Sequence, residues 1–210
     1  MSGTWTEITD LETLTDLVGE PAPPARDKVR HTLSDVDVAW LTASPFCVVA
    51  TAAEAGCDAS PKGDPAGQLV HVIDERTIAI AERPGNRRVD GYRNVLTNPF
   101  VGLLFLIPGR GDTLRVNGRA RLVSDAPFFD DLVVRGHRPL LALVVEIQEL
   151  FHHCSKAFLR SQLWAPETWD SEALVPRRAV VAQELERPGT SLEELDAYYN
   201  VATYSEGLYG

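Results

Sequence analysis

Six short β-rich segments lie between Phe46 and Ile147 of this 210-residue chain, and their spacing limits the folds open to it. Phe46–Ala52 (FCVVATA), Gly67–Ile73 (GQLVHVI) and Thr77–Glu82 (TIAIAE) are rich in β-branched residues and bounded by Gly, Pro or Asp. Val101–Ile107 (VGLLFLI) is a continuous apolar run, the pattern of a strand buried on both faces. Leu114–Val123 (LRVNGRARLV) alternates apolar and polar residues around Gly118, which predicts a bend or bulge. Leu140–Ile147 (LLALVVEI) completes the series. Short strands so closely spaced predict a closed or nearly closed small barrel with helices at its periphery.

The remaining segments read as those helices. Thr9 or Asp10 caps a helix through Val18, the Pro21–Pro24 cluster breaks it, and a second short helix follows. Ser34–Ser44 is a third, with Ser34 as N-cap and Asp37 three residues on. Arg88–Thr97 lies between strands, and Ala126–Val134 follows an expected Asp125 cap. Cys154–Leu163 is amphipathic, with Lys156 and Arg160 at i, i+4. A Ser-x-x-Glu box (Ser191, Glu194) opens a helix running to Tyr204. Trp40 and Trp169 are expected in the core. Organisation is read as one domain, its core over roughly 35–170, with helical extensions at 1–34 and 171–210.

Composition removes several classes of function. Thirty acidic residues against 20 basic ones, a formal charge of -10, argue against general nucleic-acid binding. No apolar run approaches the roughly 18 residues of a membrane span. The start MSGTWTEITDLETL lacks the basic end and apolar core of a signal peptide, and Cys47, Cys57 and Cys154 are too few for a disulfide framework. A cytoplasmic protein without nucleic-acid or membrane partners is the expectation. The sequence has no G-x-S-x-G elbow, Walker A loop or G-x-G-x-x-G fingerprint. Adjacent His152, His153 and Cys154 cannot easily converge on one ion, so no metal site is assigned.

Against that acidic background, Arg83, Arg87 and Arg88 stand around a Pro-Gly-Asn turn just before a helix. Cations gathered where backbone N–H groups of a helix start can join them point to a bound phosphate. A solvated basic turn paired with nearby carboxylates is the bland alternative.

Four motifs occur in one order: Ser60–Asp64 (SPKGD), Arg83–Arg88 (RPGNRR), Leu114–Ala120 (LRVNGRA) and His153–Trp164 (HCSKAFLRSQLW). Together they resemble the pyridoxamine 5′-phosphate oxidase-like FMN-binding split-barrel superfamily, and within it a branch of bacterial flavoproteins. The resemblance implies an α+β, mainly β fold: a six-stranded antiparallel split β-barrel of Greek-key type with peripheral helices. It implies a homodimer with FMN in clefts at the subunit interface, acting as an oxidoreductase by hydride transfer at flavin N5. Asn86, Arg87 and Arg88 would grip the FMN phosphate, with Arg83 beside them. Ser60, Lys62 and Gly63 would run along the flavin, while Lys156, Arg160 and Trp164 would approach the cofactor or substrate cleft. NADH or NADPH would serve only as a transient reductant of the flavin. No catalytic residue is assigned, and the substrate is an unspecified small molecule. Pyridoxamine-phosphate oxidation itself is not carried over, because the C-terminal substrate-phosphate signature is missing. Alternatives are a non-catalytic flavin-binding or redox-sensing module, or the same fold holding deazaflavin or haem.

Overall fold

The computed structural model describes residues 4–169 and 175–209; parts of both predicted extensions, at 1–3, 171–174 and 210, lie outside these. Seven strands form one antiparallel sheet: β1 (Phe46–Ala53), β2 (Gly56–Gly63), β3 (Val70–Asp74), β4 (Thr77–Ala81), β5 (Phe100–Leu106), β6 (Thr113–Val123) and β7 (Ala142–His153). Their order across the sheet is β2-β1-β5-β6-β7-β4-β3. Consecutive β5, β6 and β7 make the centre, and the hairpins β1–β2 and β3–β4 extend it on either side.

The expected six strands are therefore seven. The additional one is β2, GCDASPKG, which begins and ends on glycine and contains Pro61. Such a segment reads as a turn, yet β2 pairs only with β1, from Phe46↔Gly63 to Ala53↔Gly56. At an edge, a proline forfeits no ladder hydrogen bond on the open side. The predicted bulge at Gly118 is present: the β6–β7 register shifts between Asn117 and Gly118. A Cβ at Gly118 would fall 2.2 Å from the Glu146 carbonyl oxygen, so only glycine permits this approach.

Eight α-helices are described: α1 (Leu11–Val18), α2 (Pro23–Arg26), α3 (Asp35–Ala43), α4 (Asp90–Thr97), α5 (Lys156–Ser161), α6 (Arg178–Leu185), α7 (Leu192–Tyr198) and α8 (Val201–Ser205). Several expected helices are shorter than read from sequence. Ala126–Val134 shrinks to a 3-10 turn at Pro127–Leu132, since Asp125 pairs with Arg138 (2.6 Å) instead of capping. The predicted Ser191–Tyr204 helix is broken in two because Asn200 caps a new start, its Oδ1 accepting from Ala202 N at 3.0 Å. The α5 helix ends early at Gln162, which turns left-handed (φ 51). Trp40 is buried as expected, but Trp169 is 56% exposed and is not a core residue.

The main core fills the inside of the sheet: Leu103 and Phe105 of β5, Leu114 and Val116 of β6, Ile78 and Ile80 of β4. Each such side chain contributes about 1.5–3 kcal/mol of burial. Trp40 and Leu41 of α3 close one side of it. The helix is anchored by Asp37, whose side chain is fully buried. Its carboxylate accepts from Arg30 Nη2 (2.7 Å), Ser34 N (2.9 Å) and Ser34 Oγ (2.6 Å), and lies 3.2 Å from His152 Nε2. Arg30 also bridges its backbone to Leu150 of β7, so one carboxylate ties α3 to the central sheet.

Burial alone would raise the Asp37 carboxyl, but the hydrogen bonds from Arg30 and Ser34 outweigh it and hold the group well below the carboxylate range. A depressed folded-state value stabilises the protein above the unfolded value and loses that contribution as the pH falls through the folded one. Asp37→Ala should cost about 2–3 kcal/mol in urea unfolding at pH 7. The difference from the parent should shrink as the pH drops below about 4. An unchanged urea midpoint at pH 7 would contradict the anchor.

Candidate functional site

Lys62 Nζ of β2 lies 2.6 Å from Glu82 Oε2, one residue past β4. Arg83 Nε lies 2.8 Å from Asp64 Oδ2, one residue past β2. Yet β2 and β4 stand five pairings apart in the sheet. Two ion pairs across that span require the sheet to curl until its edge regions face one another. The split they bridge holds a cleft of about 550 Å³.

Charge in the cleft is arranged in two half-buried groups. In the first, Glu82 accepts from both Lys62 and the Tyr92 hydroxyl, and Lys62 Nζ lies 4.8 Å from the Tyr92 ring centre. Burial and the Glu82 carboxylate both raise the Tyr92 phenol, so it remains a neutral donor at physiological pH. In the second, Asp64 accepts from Arg83 and, at 3.0 Å, from the Tyr209 hydroxyl. The Arg83 guanidinium carbon lies 5.8 Å from the Tyr209 ring centre. Its Nη1 and Nη2 are buried and have no acceptor among the described residues. Buried guanidinium donors without partners are costly, and an anionic, oxygen-rich ligand would satisfy them.

The turn after Arg83 shapes the rest. Asn86 Oδ1 accepts from Arg88 N (2.9 Å), folding an Asx turn, and Arg87 adopts φ 60. The α4 helix then starts with no side-chain cap on its amide groups, while the Arg88 side chain pairs with Asp90. Open amide groups beside two exposed arginines suit a phosphate.

Six of the ten residues singled out from sequence line this cleft: Ser60, Lys62, Gly63, Arg83, Asn86 and Arg88. Arg87 lines a neighbouring cavity on the other side of the turn. Lys156, Arg160 and Trp164 lie elsewhere in the chain's own fold. They follow the His153 end of β7, whereas β4 pairs with the Ala142 end. Trp164 stacks on Phe158 (ring centres 5.9 Å) and donates from Nε1 to Arg110 O at 2.6 Å. Sequence reading missed Asp64, Glu82, Tyr92 and Tyr209 as site residues. Asp64 closes the SPKGD motif and was within reach, but no local signal marks Tyr209.

The curled antiparallel sheet with a charged cleft in its split is consistent with a split-barrel protein. The family model described as pyridoxamine 5′-phosphate oxidase matches residues 33–154, and the chain belongs to that family. Among solved structures it is similar to HupZ of Group A Streptococcus (17% identity, TM-score 0.47), covering 59% of this chain and 95% of that one. It is also similar to a protein described as a putative pyridoxamine 5′-phosphate oxidase from Lactobacillus delbrueckii (18% identity, TM-score 0.45; 58% and 95% covered). A third is an F420 reductase (19% identity, TM-score 0.40; 53% and 93% covered). No curated protein matches. Among the described residues, no helix is long and apolar enough to cross a membrane.

Beneath the cleft, Cys47 pairs in register with Lys62 and is fully buried. Burial pushes its thiol up to about 12, against the pull of the Lys62 charge. Cys57 and Cys154 are exposed, and the backbone N–H of Lys156 lowers the Cys154 thiol. An aromatic disulfide reagent at about pH 8 should therefore titrate Cys57 and Cys154 in the native protein, and Cys47 only after unfolding. Rapid modification of Cys47 in the native protein would contradict the closed packing under Lys62.

Proposed function

We propose that this chain is an FMN-dependent oxidoreductase acting on a small-molecule substrate, with its cofactor in the cleft of the split. The observation that carries the reading is the Arg83 guanidinium, which lines the cleft and whose two terminal nitrogens are buried without an acceptor among the described residues. The chemistry FMN supplies when bound is the acceptance or donation of a hydride at flavin N5.

The protein's contribution is anchoring and polarity. Arg88, the backbone of the turn at Asn86 and the uncapped amides of α4 hold the phosphate, and Arg83 adds its unpaired donors. Lys62, with Ser60 and Gly63, lies along the flavin and supplies positive charge where electron density accumulates on reduction. Glu82 accepts from Lys62 and from Tyr92, which fixes the lysine in place. NADH or NADPH serves as a transient reductant rather than a resident cofactor.

The same reading makes the protein a homodimer. Its second copy sits on the sheet face of β1 and β5, where Ala50, Ala52 and Gly102 leave a shallow trough beside exposed Phe100. Such a partner brings its own Lys156, Arg160 and Trp164 toward the cleft, which one chain's α5 does not line. The chain is then a single FMN-binding domain with helical extensions, and its three unpaired thiols suit a cytoplasmic setting.

The purified protein reconstituted with FMN should retain about one flavin per chain through gel filtration, and NADH or NADPH should bleach it anaerobically. Arg88→Ala should weaken FMN binding by about ten- to a hundred-fold, read from flavin fluorescence. Failure of the parent protein to retain FMN, or unchanged affinity in Arg88→Ala, would contradict the reading.

A further inference from the structure

The turn from Glu82 to Arg88 separates the cofactor cleft from a second cavity of about 630 Å³, a volume suited to a small organic ligand. Glu82, Arg83, Pro84, Gly85 and Tyr209 border both spaces. On its far side the second cavity is walled by the loop leading into β7, including His137, Arg138 and Leu140.

Its lining is cationic in a protein of charge -10. Arg83, Arg87 and Arg138 face it with His137. Glu82 is the single carboxylate among the described residues that line it, and Lys62 and Tyr92 already occupy that group. Arg138 is itself committed to Asp125 and Asp130. Arg87 has no carboxylate within 4 Å among the described residues, and neither does Arg135, the residue before Gly136 of the cavity wall. Arg135 lies 5.3 Å over the Tyr209 ring.

Backbone strain lies at the same place. Arg87 (φ 60) and Arg135 (φ 51) are two of the three non-glycine residues with positive φ among those described, and they belong to the two loops that flank this cavity. A left-handed conformation costs such residues about 1–2 kcal/mol, and strain of this kind gathers where a side chain must be presented to a ligand. Between the cations the walls are apolar: Pro84, Val89, Pro139 and Leu141, with the Tyr209 ring.

We propose that this second cavity is a binding site for a small organic anion, a carboxylate or phosphate monoester on an apolar body, and that it serves as the substrate subsite beside the cofactor cleft. The charged head meets the guanidinium group of Arg87, with His137 and Arg138 in the same wall, while the body lies against the prolines, Leu141 and Tyr209. Only the word substrate rests on the FMN reading; binding of the anion does not.

Calorimetric titration of the full chain, with and without FMN, separates the possibilities using benzoate, phenyl phosphate and neutral benzamide. At least one of the two anions should bind about ten-fold or more tightly than benzamide, and the stronger of them identifies the head group. Arg138→Gln should weaken that anion, but its bonds to Asp125 and Asp130 also hold the loop. Leu140→Asp is therefore the second variant, because Leu140 is 88% exposed at the rim and a carboxylate there repels anions without disturbing the core. It should weaken the anion about five-fold or more and leave FMN affinity within about two-fold. Benzamide binding as well as both anions, or an anion indifferent to Leu140→Asp, would overturn the site. Loss of FMN with Leu140→Asp would place the cofactor there and overturn the subsite while leaving the flavin reading intact. The predicted anion pattern in a protein that takes up no FMN would uphold the anion site and sink the flavin reading.

Discussion

Everything proposed for this protein depends on two ion pairs that span its split sheet, Lys62 with Glu82 and Arg83 with Asp64. They connect β2 to the chain leaving β4, at positions the backbone hydrogen bonds do not join. Paired charges of this kind add little net stability once desolvation is counted, but breaking a pair leaves a charge stranded. Their effect is geometric. They set the width of the split and fix a cation on each side of it. The same residues thus hold the sheet curled and furnish the cleft with donors.

The donors are not equally engaged. Lys62 donates to Glu82, and Tyr92 stands behind that carboxylate as a neutral donor. Arg83 is only partly occupied, because Asp64 takes Nε and both terminal nitrogens have no acceptor among the described residues. The Tyr209 ring, lying across Arg83 with its hydroxyl on Asp64, comes from beyond the family-matched residues 33–154. The framework of the cleft therefore belongs to the family, while part of its mouth belongs to this chain's own C-terminal segment.

Much of this was legible in the sequence, and what was not has physical causes. β5 and β6 were recognisable because strands buried in the centre of a sheet need long apolar or alternating runs. The capping boxes at Ser34 and Ser191 were equally clear, since a cap is a local hydrogen bond between residues three apart. β2 is absent from the expected strands because an edge strand tolerates Pro61 and terminal glycines that a central strand would not. The basic turn could be located from its arginines, but not which way each side chain faces across it. Arg87 and Arg88 are adjacent, and the left-handed backbone at Arg87 sends them to different cavities. Tyr209 was out of reach, because its partner Asp64 is 145 residues away and nothing local announces the contact.

The central claim is that the cleft recognises a flavin by its phosphate. The most direct measurement is a comparison of FMN and riboflavin binding to the purified chain by fluorescence quenching at fixed salt. The two ligands share the ring and ribityl chain, so their difference isolates the phosphate. FMN should bind about a hundred-fold more tightly or better, as expected for several charge-assisted hydrogen bonds to one anion. Equal affinity for the two, or no binding of either, would contradict the account.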